Sequence, residues 1–181
     1  MKNLILILTM MLVTGSLAAQ QTRVEITNAS SVSDSRLNSN SVPDGYVLNG
    51  QFNRILIFRF KYQADLLGGL DSLTKVNNIK NAVILSGIGS VRNYHLHSVS
   101  NRTFPTKNIF IKDTIAPADI ASMNGYIING RVHAHVVLTN ADKAFGGHLE
   151  KGTNVFTFAI VTIGVLSDSI DLGKVDDKNY R

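Results

Sequence analysis

The dipeptide Asn129-Gly130, set between Tyr126-Ile-Ile and Arg131-Val-His-Ala-His-Val-Val-Leu138, constrains this chain more than any other feature. A two-residue connection between antiparallel strands needs positive φ at its central positions, which Asn and Gly tolerate, and its twist matches that of the strands it joins. A hairpin is therefore expected over these residues. Arg54-Ile-Leu-Ile-Phe-Arg-Phe-Lys61 is rich in β-forming side chains and reads as an earlier strand. From Ala64 to Val76 the periodicity changes. Leu66, Leu67, Leu70 and Leu73 fall at helical spacing, Asp65 lies where the helix's positive end would favour it, and Asn77-Asn78 ends the run.

Further strands are expected at Ala82–Ser86, Asn93–Val99, Asn108–Lys112 and Thr153–Val165, with a turn at Pro105. Pro117–Met123 reads equally well as a short helix or a strand. Gly87 and Gly89, in Gly87-Ile-Gly-Ser90, resemble half of a phosphate loop. The remaining glycine is missing and no helix follows, so a tight turn or bulge is the better reading. One helix followed by many hairpin-linked strands predicts an α+β fold, a compact and mostly antiparallel β-sheet with one main helix and short helical segments.

The ends of the chain read differently. Met1-Lys2-Asn3, the apolar run Leu4–Val13 and the small residues up to Ala19 have the three-part layout of a secretory signal peptide. An ordinary buried N-terminal helix is the competing reading. The apolar run is shorter than the ~20 residues of a spanning helix, so no stable membrane insertion is expected, and a periplasmic or secreted protein is. No cysteine stands at the junction to carry a lipid anchor. Residues 20–43 include a stretch with six serines between Thr27 and Ser41, read as a flexible segment. The folded domain is placed at 44–166 and a polar tail at 167–181.

Composition removes several classes of function. The 181 residues contain no cysteine, so disulfides, thiolate metal sites and cysteine nucleophiles are excluded, and without tryptophan a Trp-lined sugar cleft is too. The net charge of +5 falls to +4 without the leader, whose only charged residue is Lys2. The basic residues are scattered, Arg59 and Lys61 forming the one close pair, whereas nucleic-acid binding normally needs a patch or stripe.

The chemistry concentrates in histidines. His133 and His135 alternate along one strand and share a face, so their rings can converge on one ion. His148 follows a turn around Asn140–Ala144, and Gly146 and Gly147 before it let the backbone come close. Three imidazoles with an open fourth position describe an exchangeable or catalytic zinc site. Exposed strand histidines are also commonly inert, and the spacing alone leaves both readings open. His95 and His97 repeat the pattern and are candidates for a second site, for a contribution to the first or for a subunit contact; with no third ligand nearby in sequence, a polar strand face is the favoured reading. Glu150, two residues after His148, is the one candidate general base near the proposed metal.

Taken in order, Ala82-Val-Ile-Leu-Ser-Gly-Ile-Gly-Ser90, Gly130-Arg-Val-His-Ala-His135 and Gly146-Gly-His-Leu149 resemble the PPC (PCC) domain, or domain of unknown function 296, over about Tyr46 to Val165. The resemblance implies a compact α+β domain that assembles into a homotrimer. It also implies zinc held by His133, His135 and His148, the residues matching those associated with zinc in prokaryotic relatives. The family's last-strand glutamate corresponds to Ile160 here. Its DNA-binding label comes from plant members that carry AT-hooks, whose Arg-Gly-Arg-Pro core this chain lacks.

The leading expectation is thus an exported, zinc-binding homotrimer that could also take a small ligand, with no enzymatic activity assigned. A DNA-binding protein and a purely structural trimer without metal are the alternatives. The export signal argues against nucleic acid as the partner.

Overall fold

A computed structural model describes residues 22–26 and 39–175. The expected leader, most of the serine-rich segment and residues 176–181 lie outside the described residues. Eight strands and one helix follow in the order β1 (Thr22–Ile26), β2 (Phe52–Lys61), α1 (Leu66–Val76), β3 (Ala82–Val99), β4 (Asn108–Asp113), β5 (Ala118–Ile128), β6 (Arg131–Thr139), β7 (Ala144–Leu149) and β8 (Asn154–Leu166). A short 3-10 turn, Leu172–Val175, comes last. All strand pairings are antiparallel. The α+β expectation of a mostly antiparallel sheet with one main helix describes this architecture.

β3 is the organising strand. The sequence suggests two strands with a tight turn or bulge at Gly87–Ser90, and the structure takes the bulge, joining both into one strand of 18 residues. Its register against β8 shifts between Ile84 and Ser86 and again at Gly89/Val91 and Val91/Asn93, so the Gly87–Ser90 stretch is a bulged region and the strand continues. The first half of β3 pairs with β5 and β8, the second half with β4 and β7. Through β3–β5, β5–β6, β6–β7 and β7–β3 the pairing closes into a ring. Pro117–Met123 resolves as the start of β5, and β1 pairs with β4 from within the stretch read as flexible. The hairpin has the expected turn, with φ of 51° at Asn129 and 79° at Gly130.

The helix forms where the leucine spacing places it. Asp65 sits one position before it and caps it, accepting from the Gly68 N–H at 2.7 Å. Leu66 and Leu70 are fully buried and Leu67 nearly so. Burying each such side chain contributes roughly 2 kcal/mol. They join Phe58, Phe60, Ile84, Met123, Leu149, Val161 and Ile163 in one core between helix and sheet. Part of the polar tail packs on the domain: Leu172 is buried and joins Ile128 and Leu166 in a smaller cluster. No helix among the described residues is long and apolar enough to cross a membrane.

Candidate metal centre

Strand register assembles the site. His148 on β7 lies opposite His97 on β3 and, on its other side, opposite His135 on β6. Three imidazoles therefore form a row across neighbouring strands. His133 stands two residues from His135 on the same face, its ring 4.7 Å from that of His148, while the His135 ring is 5.4 Å away. His97 and His148 stack at 4.5 Å.

The Gly146-Gly147 pair makes this crowding possible. A Cβ on Gly146 would stand 2.3 Å from the Val136 carbonyl oxygen, and one on Gly147 2.4 Å from that of His97. Any side chain there would push β7 off its neighbours and carry His148 away from the other rings.

Glu150 completes the group from the loop after β7. Its Oε1 lies 2.6 Å from His97 Nδ1 and 3.6 Å from His148 Nδ1. A carboxylate only accepts, so His97 Nδ1 carries the hydrogen, and Nε2 is the atom left for an ion. That is how an outer carboxylate orients a metal-ligating imidazole.

The loop is fixed from beneath. The Glu150 N–H donates to the His95 carbonyl at 3.0 Å. Buried Thr153 exchanges two hydrogen bonds with the His95 backbone. The Gly152 N–H donates to Asp65 Oδ2 at 2.6 Å, so the helix cap also holds this loop.

His148 Nδ1 is buried and has no hydrogen-bond partner among the described residues. Leaving such an atom unpaired costs about 1–3 kcal/mol, and a cation in the group would pair it. Burial, then the adjacent His97 and His133 rings, pushes the His148 pKa down to about 4 against an opposing pull from Glu150. Burial followed by His97 also lowers that of His135. Both shifts favour the neutral imidazole, the form that ligates a metal. The donor set therefore fits a divalent ion.

The sequence-selected residues fall into three places. The potential ligand atoms of His97, His148 and Glu150 all lie within 4.8 Å of one another. His133 and His135 flank them through ring contacts with His148 and with each other. His95 stands apart, its Nδ1 2.9 Å from the Lys151 carbonyl oxygen, and it steadies the Glu150 loop. His97, for which the sequence favours a polar strand face and leaves a contribution to the first site as the alternative, is drawn into the group by the β3–β7 pairing. Ile160, which the resemblance sets at the family's last-strand glutamate, lies on β8 opposite Ile88 of β3 and Arg59 of β2, beside the half of β3 that carries no histidine.

Comparison with known proteins agrees with this architecture. No curated protein sequence matches the chain. A plant- and prokaryote-conserved (PPC) protein from Pyrococcus horikoshii superposes with a TM-score of 0.58 at 25% identity, over 75% of this chain and 94% of its own. A metal-containing protein from Archaeoglobus fulgidus gives 0.58 at 22%, over 68% of this chain and 86% of its own. A Bacteroides thetaiotaomicron protein described as a candidate DNA-binding protein gives 0.50 at 18%, over 67% and 86%. At the latter two identities the likeness speaks for the fold alone. Residues 47–167 match the family model of the Plants and Prokaryotes Conserved (PCC) domain, and the chain belongs to that family.

Proposed function

We propose that this protein is an exported metal-binding PCC-domain protein that holds one zinc ion per chain and works as a homotrimer. The observation that carries the metal is the buried, partnerless Nδ1 of His148, set among three further imidazoles and the Glu150 carboxylate. His148 and His97 would face the ion, Glu150 would orient His97 from behind it, and His133 and His135 would complete the shell. Imidazole-rich donor sets suit zinc, copper and nickel, and zinc takes such sets with an open position. A bound divalent ion would polarise an oxygen of whatever small ligand entered that position.

The trimer is supported by an apolar outer face. Ile57 and Ile88 are 71% and 55% exposed, and Ile55 and Phe158 stand on the same side of the β2–β8–β3 sheet. Arg59 and Lys61 share this side, and the exposed isoleucines beside them are apolar surface of the kind a subunit contact covers. Export rests on the N-terminal sequence. The DNA-binding alternative carries no structural observation of its own.

Elemental analysis of the untagged mature protein beside a His148→Ala variant tests the metal. The expected result is about one equivalent of zinc per chain, absent from the variant. Less than roughly a tenth of an equivalent after zinc loading and desalting would sink this reading. Sedimentation equilibrium tests the trimer, with a monomer contradicting it.

A further inference from the structure

The hairpin borders a second feature beside the histidines. A cavity of about 820 Å³ opens between it and the two segments that flank the sheet, within the size range of small-molecule sites. Tyr46 and Phe52 line it from the segment leading into β2, and Tyr126, Ile128 and His133 from the hairpin. Leu166 and Leu172 close it from the C-terminal side.

The walls are tied together. The Phe52 ring lies directly over Gly164, where a Cβ would come within 2.6 Å of Cε1, so a larger residue there would displace the ring from that wall. The Tyr46 hydroxyl donates to the Lys174 carbonyl and links the two flanking segments. Asn81 Nδ2 donates to the Ile170 carbonyl at 2.8 Å and anchors the C-terminal segment to the sheet. These last elements, Ile170 to Lys174, lie beyond the residues that match the family.

His133 is where cavity and metal centre meet. It lines the cavity, and its ring is 4.7 Å from that of His148. Among the described lining residues there is no Asp, Glu, Lys or Arg. A charged molecular body would lose its hydration here without compensation. Tyr46, Phe52 and Tyr126 instead offer flat faces to an aromatic ring. Asn49 and Gln51 add only neutral amides, so a full anionic charge is best met at the His133 end, toward the ion.

We infer that the cavity binds a small aromatic carboxylate, ring in the apolar pocket and carboxylate directed past His133 to the ion. This rests on the metal reading above and adds the ligand class to it. Naphthaleneacetate and its neutral analogue naphthaleneacetamide, titrated into the zinc-loaded full-length mature protein by calorimetry, separate the two halves of the claim. The expected result is one site per chain, with the acid bound roughly tenfold more tightly than the amide, a margin typical of one charge-assisted contact. That margin should vanish in His148→Ala, while amide binding persists.

Val83→Trp, which fills the cavity from β3, should weaken both probes at least about tenfold. Tyr126→Glu, at a half-exposed wall position, should weaken the acid more than the amide and guards against a misfolded Val83→Trp. No binding to protein that retains its zinc overturns the inference and leaves the metal reading intact. Binding unaffected by both wall variants overturns it, because the probe then sits elsewhere. Equal binding of acid and amide to zinc-loaded protein also overturns it. Protein that takes up no zinc fails the metal reading first, whatever the probes do.

Discussion

His97 and His148 face each other across the β3–β7 ladder with their rings stacked, 4.5 Å between centroids and 22° between planes. They lie 51 positions apart in the chain. Their contact exists because β3 is long enough to pair with β8 and β5 at one end and with β7 at the other. The metal centre is thus a product of the ring closure, and changes to the closure should be felt at the centre.

Gly147→Ala is the smallest such change. Its Cβ would meet the His97 carbonyl oxygen at 2.4 Å, an atom that cannot move without disturbing the ladder. Destabilisation of about 1–3 kcal/mol is expected, with loss of zinc under conditions where the variant remains folded. Thermal unfolding and metal content of the same sample check both parts.

Glu150→Gln keeps the shape of the side chain and removes its charge. His97 would lose the carboxylate that orients it at 2.6 Å. Zinc affinity should fall by roughly 10–100-fold, as on losing an outer-shell or a weak inner ligand. Competition with a chromophoric chelator reads the change, and unaltered affinity would place Glu150 outside the metal's environment.

In the metal-free protein His148 makes stability depend on pH. Its pKa is about 4 in the folded state against an ordinary 6.5, so between these values the unfolded chain binds the extra proton. Its contribution is fully present above pH 6.5 and is lost as pH falls toward 4. Urea unfolding at pH 7 and pH 4.5 should show this loss in the wild type and a smaller one in His148→Gln. Equal losses would contradict the assignment.

Asp65→Ala should act at a distance. Its two oxygens hold the Gly68 and Gly152 N–H groups, one at the helix start and one in the Glu150 loop. Roughly 2 kcal/mol of stability should be lost. Zinc affinity should fall as well, because the loop loses its anchor. Asp65→Asn should recover part of both.

Much of this architecture is visible in the sequence because it is set locally. Asn129-Gly130 names the hairpin, the leucines of 66–73 name the helix, and His133, His135 and His148 can be related by strand alternation across a short turn. What escapes is long-range. His97 reads as an isolated strand histidine because nothing near it in sequence says that β3 will pair with β7. Gly87 and Gly89 read as a tight turn or a bulge, and only the long-range β3–β8 pairing decides for the bulge, with the strand running on through it. The capping role of Asp65 is partly readable, but its second hydrogen bond, to Gly152, depends on a loop 87 residues away.

The most direct test of the metal centre is X-ray absorption at the zinc edge of the loaded, desalted protein. The account predicts a nitrogen/oxygen shell near ~2.0 Å with the outer-shell scattering pattern of at least two imidazoles, reduced in His148→Ala. A shell of oxygen ligands without imidazole scattering, or zinc that desalts away, would contradict it.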